Sequence, residues 1–316
     1  MPATIPILDI SPTNPTAASS LLSAFRTHGF AYISSRSSTI SPQTISSLFS
    51  LSAAFFSSPH PIKTQCPIRN NHGYSGLRNE ALDPSQRSGG DVKEAFNLGD
   101  ELSTQDLSGV LAERRDELLS FQDDCKRLCG RILGLLEVAL GVREGWFGDR
   151  HRGGPTGSVL RLLRYPPLER DGDGDEEDVR AGAHSDYGSI TLLFQQLGQP
   201  GLQVQDADGK WEDVEVDPAG RGEVPVLVNI GDLLSYWTGG LLRSTKHRVV
   251  FPRGAMRDRY SIAYFCHPLD EVELEPVPSE MVRRFAAENG QMDGGGKTLT
   301  AKDHLLSRLE ATYGKK

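Results

Sequence analysis

Cysteine, an excess of basic charge and long apolar runs are all scarce in this chain, and each shortage excludes a class of protein. Four cysteines, Cys66, Cys125, Cys129 and Cys266, are scattered over 316 residues, too few for a secreted disulfide framework, so a reducing, cytoplasmic setting is expected. Cys125 and Cys129 share one face of a helical pattern with no further cysteine or histidine close by, and read as small buried apolar residues, not metal ligands. No run of 18 apolar residues occurs, and "MPATIPILDISPTNP" carries no basic flank before an apolar stretch, so neither a membrane span nor a leader is expected. The formal net charge is −8 and no basic stripe appears, which argues against a nucleic-acid partner. Much of the acid excess sits in "ERDGDGDEEDVR", residues 169–180, with seven acids against two bases; it reads as a solvated surface insertion. Asp171, Asp173 and Asp175 are spaced as in a calcium loop, yet Glu176 stands where the turn needs glycine. "GGGKT", residues 294–298, lacks the first glycine of a phosphate-binding loop and follows a helical pattern where that loop follows a strand.

What is present divides in two. Asn14 and Pro15 read as a helix start with Gly29 as its stop, followed by a strand at "FAYIS". Ser41 and Pro42 open a second helix that ends before Pro59 and Pro61, and a third runs from about Arg115 to Leu140. Between them "NNHGYSGLRNEALDPSQRSGGDVKEAFNLGD" reads as a loop bordering a site. Residues 1–150 are therefore expected to be mainly helical. From Gly157 the runs shorten to "SVLRLLRYPP", "SITLLFQQ", "GLQVQ", "KWEDVEV", "VPVLVNIGDLL", "RSTKHRVVFP" and "RYSIAYFCHP", the spacing of an antiparallel sandwich or barrel over residues 157–268. "DADG" reads as a hairpin turn, and residues 278–316 return to helix. The fold class is α+β with a mainly β core, in one domain spanning 1–316.

His28, His60, His72, His151 and His304 lie in polar or loop contexts and read as surface residues. His184 and Asp186, in "AGAHSDYGSITLLF", stand two apart at the head of an expected strand, where they would project to one side and offer an imidazole nitrogen and a carboxylate oxygen to one metal. A His-X-Asp pair is weak alone and suits a solvated edge equally. "LLRSTKHRVVF" supplies His247, and two histidines with one carboxylate make the facial triad that leaves positions open on ferrous iron. Arg259 and Ser261 in "RYSIAYF" share a strand face; a guanidinium beside a hydroxyl forms a carboxylate clamp, and an inward arginine without an anion is costly. "RLLRYPP" places Arg161, Leu163 and Tyr165 on one face, with Arg164 outward. Tyr74, Lys93, Phe96, Arg161 and Phe265 are candidate substrate contacts favouring an anionic or carbonyl-rich small molecule, although Lys93 and Glu94 suit a strand's solvent face equally well.

The chain resembles the isopenicillin N synthase-like branch of the iron(II) and 2-oxoglutarate-dependent oxygenases. Matches in order include "IPILDI", "HGFAYI", "FFSSPHPIK", "DVKEAF", "RYPP", "GAHSDYGSITLLFQ", "GLQVQDADGKWEDV", "VNIGDLLSYWTGGLLRSTKHRV", "RYSIAYF" and "LLSRLEATY", nearly the whole length. The resemblance implies a double-stranded β-helix, or jelly roll, flanked by N-terminal and C-terminal helices. It implies His184, Asp186 and His247 as iron ligands, Arg259 and Ser261 as the hold on the distal carboxylate of 2-oxoglutarate, and Tyr165 as a further co-substrate contact. Leu163 and Arg164 replace the family's usual Asn and first Tyr, so contacts on that strand differ. The implied enzyme is a small-molecule dioxygenase, expected as a monomer, that uses Fe(II), 2-oxoglutarate and dioxygen to hydroxylate or desaturate its substrate and releases succinate and carbon dioxide. A same-fold iron oxidase without 2-oxoglutarate, or a non-catalytic jelly-roll binding protein, are the alternatives.

Overall fold

The Ser41 hydroxyl accepts from the Thr44 amide at 3.0 Å and Pro42 occupies the first turn, so the second helix begins where capping chemistry puts it. The computed structural model describes residues 2–83, 90–167, 178–251, 257–289 and 299–313. Its first half contains β1 (Ile7–Leu8), α1 (Ala17–Thr27), β2 (Phe30–Ile33), α2 (Pro42–Phe56), α3 (His60–Lys63), β3 (Gly73–Ser75), β4 (Glu94–Gly99), α4 (Gly109–Glu113) and α5 (Arg115–Leu140). The second contains β5 (Val159–Tyr165), β6 (Asp178–His184), β7 (Ile190–Gln195), β8 (Leu202–Gln205), β9 (Trp211–Asp213), β10 (Val226–Ile230), α6 (Asp232–Trp237), β11 (His247–Phe251), β12 (Arg259–Cys266), α7 (Glu280–Glu288) and α8 (Ala301–Tyr313). The first helix starts later than Asn14: the Asn14 side chain accepts from the Thr16 amide at 3.1 Å and its hydroxyl at 2.9 Å, holding a turn ahead of α1.

Two sheets face each other. The larger runs β1-β2-β10-β7-β12-β5-β4-β3 and the smaller β6-β11-β8-β9, with only β1 and β2 parallel among named strands. Alternation along the large sheet separates two cores. Phe96, Leu160, Leu162, Phe194, Ile262 and Tyr264 point outward into a core shared with the helices. Phe30, Tyr32, Leu163, Leu227 and Ala263 point inward, against Leu202, Val204, Val249 and Phe251 of the small sheet. Cys125, Cys129 and Cys266 are buried free thiols, and burial pushes the Cys125 and Cys129 thiols far up. The "DADG" turn closes the β8–β9 hairpin, with the Asp206 amide donating to the Lys210 carbonyl at 2.9 Å. Among the described residues no helix is long and apolar enough to cross a membrane.

Two expectations need correction. Helices outweigh strands in residues 1–150, yet β1 to β4 all join the large sheet. The stretch read as a loop contains β3 and β4, and β4 pairs with β5 from Glu94↔Arg164 to Gly99↔Val159. The acidic stretch 169–180 is not all surface insertion either, since Asp178 to Arg180 begin β6. Arg180 is buried, bonded to both Asp178 oxygens at 2.7 Å and stacked 4.3 Å from the Phe251 ring centre. Asp171, Asp173, Asp175 and the "GGGKT" segment lie outside the described residues.

Candidate metal centre and its cavity

The chain changes sheets twice at one place. His184 ends β6 in the small sheet and β7 starts at Ile190 in the large one, so Asp186 sits in the crossing. β10 likewise gives way through α6 to β11, whose first residue is His247. In the register His247 lies directly opposite His184. His184 and Asp186 therefore converge from a strand end and the turn after it, and not from one strand face as the sequence spacing predicts. Glycine permits the crossing: a side chain at Gly231 would place its Cβ 2.2 Å from the Gly188 carbonyl oxygen. That close approach lets the Asp232 amide donate to the Asp186 carbonyl at 2.7 Å and the Gly231 amide to that of Ser189 at 3.0 Å.

The three side chains meet. His184 Nε2 and His247 Nε2 lie 3.9 and 3.6 Å from Asp186 Oδ1, and one ligand atom of each falls within 4.8 Å of the others. Both imidazoles are held by Nδ1, which donates to the Gly182 carbonyl at 2.7 Å in His184 and to that of Thr245 at 3.1 Å in His247. That tautomer turns each Nε2 lone pair toward Asp186. Asp186 Oδ2 is occupied, accepting from Thr191 Oγ1 at 2.6 Å and Asn229 Nδ2 at 2.7 Å, so Oδ1 is the oxygen left for an ion. Burial, reinforced by His247, lowers His184 to about 3, so it is neutral at ordinary pH. Burial opposes charge on His247 and Asp186 too, but their attraction prevails, raising the histidine and holding the carboxyl well below its usual range. Two nitrogens and one carboxylate oxygen, oriented by partners of their own, fit a ferrous ion with open positions.

Arg259 and Ser261 point between the sheets, the first opposite Tyr165 and the second opposite Leu163. Arg259 is 4% exposed. Its Nε donates to the Pro200 carbonyl at 3.1 Å and its guanidinium lies 5.2 Å from the Tyr165 ring centre. Nη1 has no hydrogen-bond partner, and Arg259 has no ion pair among the described residues. A buried cation with an unspent donor fits a carboxylate.

A cavity of ≈ 760 Å³, a figure that includes space open to solvent, lies against His184 and Asp186. Lys93, Arg161, Tyr165 and Phe265 line it, as expected. Lys93 is buried, not on a solvent face. Tyr74 and Phe96 do not line it: the Tyr74 hydroxyl bonds to Glu94 on the other side of the sheet, and Phe96 packs against Phe55 in the helix-side core. Lys93 and Phe96 are three apart, so on a strand they face opposite ways. Arg164 faces outward as expected, paired with Glu94 at 2.6 Å and Asp258 at 2.8 Å.

Several residues in or behind the cavity wall had no sequence signal. Glu80 takes the Arg161 guanidinium on both oxygens, at 2.5 and 2.6 Å, and lies 3.3 Å from Lys93 Nζ, which also meets Asp91 at 2.5 Å. Burial opposes the Glu80 charge, but Arg161 and Lys93 outweigh it and hold the carboxyl far below its usual range. The inward cations are thus balanced by two acids, which favours the carbonyl-rich half of the expected substrate class over the anionic half. His267, buried, and Leu305 and Leu309 of α8 complete other walls. Burial, with His304 and His151 nearby, lowers His267 to about 3, leaving a neutral ring. His151 and His304 are not ordinary surface residues: His151 bridges the Phe147 carbonyl and Ser189 Oγ at 2.8 and 2.9 Å, and His304 is buried beside Tyr236.

The profile of the 2OG-Fe(II) oxygenase superfamily matches residues 156–268, and that of the N-terminal part of the non-haem dioxygenases in morphine synthesis matches residues 5–116. The chain belongs to the 2OG-Fe(II) oxygenases. A UPF0676 protein of Schizosaccharomyces pombe is 34% identical, with 98% of this chain and 93% of that one covered. The 2-oxoglutarate-dependent dioxygenase htyE of Aspergillus rugulosus is 31% identical over 91% of this chain and 90% of its own. In three dimensions, a full-length Neurospora crassa protein crystallised with alpha-KG, which is 2-oxoglutarate, and thymine superposes with TM-score 0.78 at 30% identity, covering 97% of this chain and 96% of that one. The jelly-roll expectation holds, and Fe(II), 2-oxoglutarate and dioxygen are this oxygenase's requirements.

Proposed function

We propose that this 2OG-Fe(II) oxygenase holds its iron through His184, Asp186 and His247, anchors the distal carboxylate of 2-oxoglutarate on Arg259 and Ser261 beside Tyr165, and oxidises a neutral, hydrogen-bonding small molecule. The observation that carries the assignment of the centre is the convergence of two Nε2 atoms on one free carboxylate oxygen, each ligand oriented from behind. Iron with 2-oxoglutarate and dioxygen supplies the oxidising power for hydroxylation or desaturation, with succinate and carbon dioxide as by-products. The chain's own part is orientation. Thr191 and Asn229 fix Asp186, Arg259 neutralises and aligns the co-substrate, and the cavity walls set which substrate bond faces the metal.

A neutral substrate follows from the balance of Lys93 and Arg161 by Glu80 and Asp91. Leu82, Val159 and Phe265 offer apolar walls, while Asn71, Asn97 and His267 offer donors and acceptors without net charge. Such a lining suits a small ring bearing carbonyl and N–H groups, and thymine in the Neurospora crassa neighbour is one. The enzyme is read as a single catalytic unit acting as a monomer in the cytoplasm, a setting in which its free cysteines persist. Anaerobic addition of 2-oxoglutarate to the iron(II)-loaded protein should raise a visible metal-to-ligand charge-transfer band. No band, together with no succinate under air, would overturn the reading.

A further inference from the structure

Gln195, the last residue of β7, is 3% exposed, and among the described residues neither its side-chain oxygen nor its nitrogen has a hydrogen-bond partner. Leaving both ends of an amide unpaired in the interior costs free energy that an apolar residue of similar size would not. A polar group kept there without a partner points to a ligand that supplies one.

Its direction is fixed by alternation. Leu192 and Phe194 pack outward into the core shared with the helices, while Leu193 packs inward, and Thr191 reaches inward to Asp186. Gln195 therefore points between the sheets with Thr191 and Leu193. The β7–β12 register sets it directly opposite Ser261, and residues opposite each other on one face have Cβ atoms about 4.5–5.5 Å apart. Arg259, whose Nη1 is also unpartnered, is the next inward residue on β12. Unspent polar atoms from two neighbouring strands thus share the inward face of the large sheet, at the end of β7 away from Asp186.

We infer that Gln195 is a positioning residue for 2-oxoglutarate, its amide nitrogen donating to the distal carboxylate beside Arg259 and Ser261. This rests on the co-substrate assignment above. The guanidinium supplies charge and the serine a single donor; the amide adds a second neutral donor from the opposite strand, so the carboxylate is held from two sides and cannot swing about the arginine.

The test is an anaerobic titration of the iron(II)-loaded protein with 2-oxoglutarate, followed by the charge-transfer band, in wild type, Gln195→Leu and Gln195→Glu. Gln195→Leu should weaken 2-oxoglutarate binding about tenfold, the loss of one hydrogen bond to a charged group. Iron affinity should be unchanged and the melting temperature of the co-substrate-free protein equal or higher, because an unpaired buried amide is gone. Gln195→Glu should weaken binding further by setting a carboxylate against a carboxylate. Gln195→Leu with wild-type 2-oxoglutarate affinity and a raised melting temperature overturns the inference and makes the amide a structural liability only. Failure of the wild type itself to bind 2-oxoglutarate strikes the functional assignment instead, so the two failures are distinguishable. Should Gln195→Leu not fold, Gln195→Asn, which shortens the amide by one carbon, serves instead. Weakened binding supports the inference and unchanged binding overturns it.

Discussion

The proposed iron ligand Asp186 is held by two donors on one oxygen, so removing one of them changes its orientation without touching the ligand set. Thr191→Val keeps the shape of a residue 4% exposed and deletes only the hydroxyl that donates to Asp186 Oδ2 at 2.6 Å. Valine leaves no orphaned donor behind, and Asn229 Nδ2 still donates to the same oxygen at 2.7 Å. The loss is therefore set at the low end for a hydrogen bond to a charged group, about 1.5 kcal/mol. Expressed as binding, that is about a tenfold rise in the iron(II) dissociation constant. Asn229→Leu should cost a similar amount, and the pair together about 100-fold, within the usual range for residues behind a metal ligand. The assay is anaerobic iron(II) titration against a competing chelator, with circular dichroism to show an intact fold. Single variants that bind iron within twofold of wild type would refute the idea that these donors aim Oδ1 at the metal.

His184→Ala should abolish tight iron binding; retained stoichiometric iron, measured after desalting, would show that the ligands lie elsewhere. Because Asp186 raises His247, iron must displace a proton from it, so affinity should fall about tenfold per pH unit below that raised pKa. In the metal-free protein the sign reverses: the His247–Asp186 attraction stabilises fully below the unfolded histidine value of about 6.5 and is lost as pH rises through the folded one. Glu80→Gln leaves Arg161 without its carboxylate and should cost about 3–5 kcal/mol by urea unfolding at pH 7. Glu80 is depressed, so its contribution is present above an unfolded value of about 4.3 and lost as pH falls toward the folded one; the gap between variant and wild type should narrow below about pH 4. Leu305→Trp, which fills the cavity from α8, should raise the substrate KM while leaving the 2-oxoglutarate band unchanged.

The β core was legible because its strands are short, bounded by Gly, Pro, Asp and Asn, and apolar on at least one face. The strand β4 was not, and the reason is physical. "EAFNLG" is buried along its whole length, with Glu94 satisfied by Lys63 at 2.5 Å and by Arg164 at 2.6 Å, so no polar face marks it as a strand. Tyr74 and Phe96 were misplaced as a result: without the strand, alternation could not assign them to the far side of the sheet from Lys93. The triad and the Arg-X-Ser pair were legible because each is short in sequence or stands in a recognisable run. Glu80, Asp91, Asn229 and His267 were not, since each also depends on a partner distant in sequence, as Glu80 does on Arg161, Asp91 on the Gly182 amide and Asn229 on Asp186. His184 and Asp186 were paired correctly for an incorrect geometric reason, the turn after β6 doing what a strand face was expected to do.

Two arginines pointing inward from adjacent strands read alike in sequence, and the structure separates them by their partners. Arg161 is neutralised by Glu80, whereas Arg259 has no ion pair among the described residues and keeps Nη1 unspent. The same burial cost thus has two solutions: an internal acid in one case, and in the other, under the proposed assignment, an anion that arrives with the co-substrate. Among the described buried residues of the site, the uncompensated positive charge then lies at Arg259, the proposed 2-oxoglutarate end, and the proposed substrate end is balanced. A compound screen scored by substrate-stimulated succinate release should accordingly return neutral, carbonyl-bearing molecules. Arg161→Ala would leave Glu80 facing Lys93 alone and tilt the cavity toward negative charge, so it should weaken such hits and reject anionic ones outright, while the charge-transfer band with 2-oxoglutarate stays as in wild type. Anionic hits on the wild-type enzyme would refute this division, because Arg161 would then have left Glu80 to bind them.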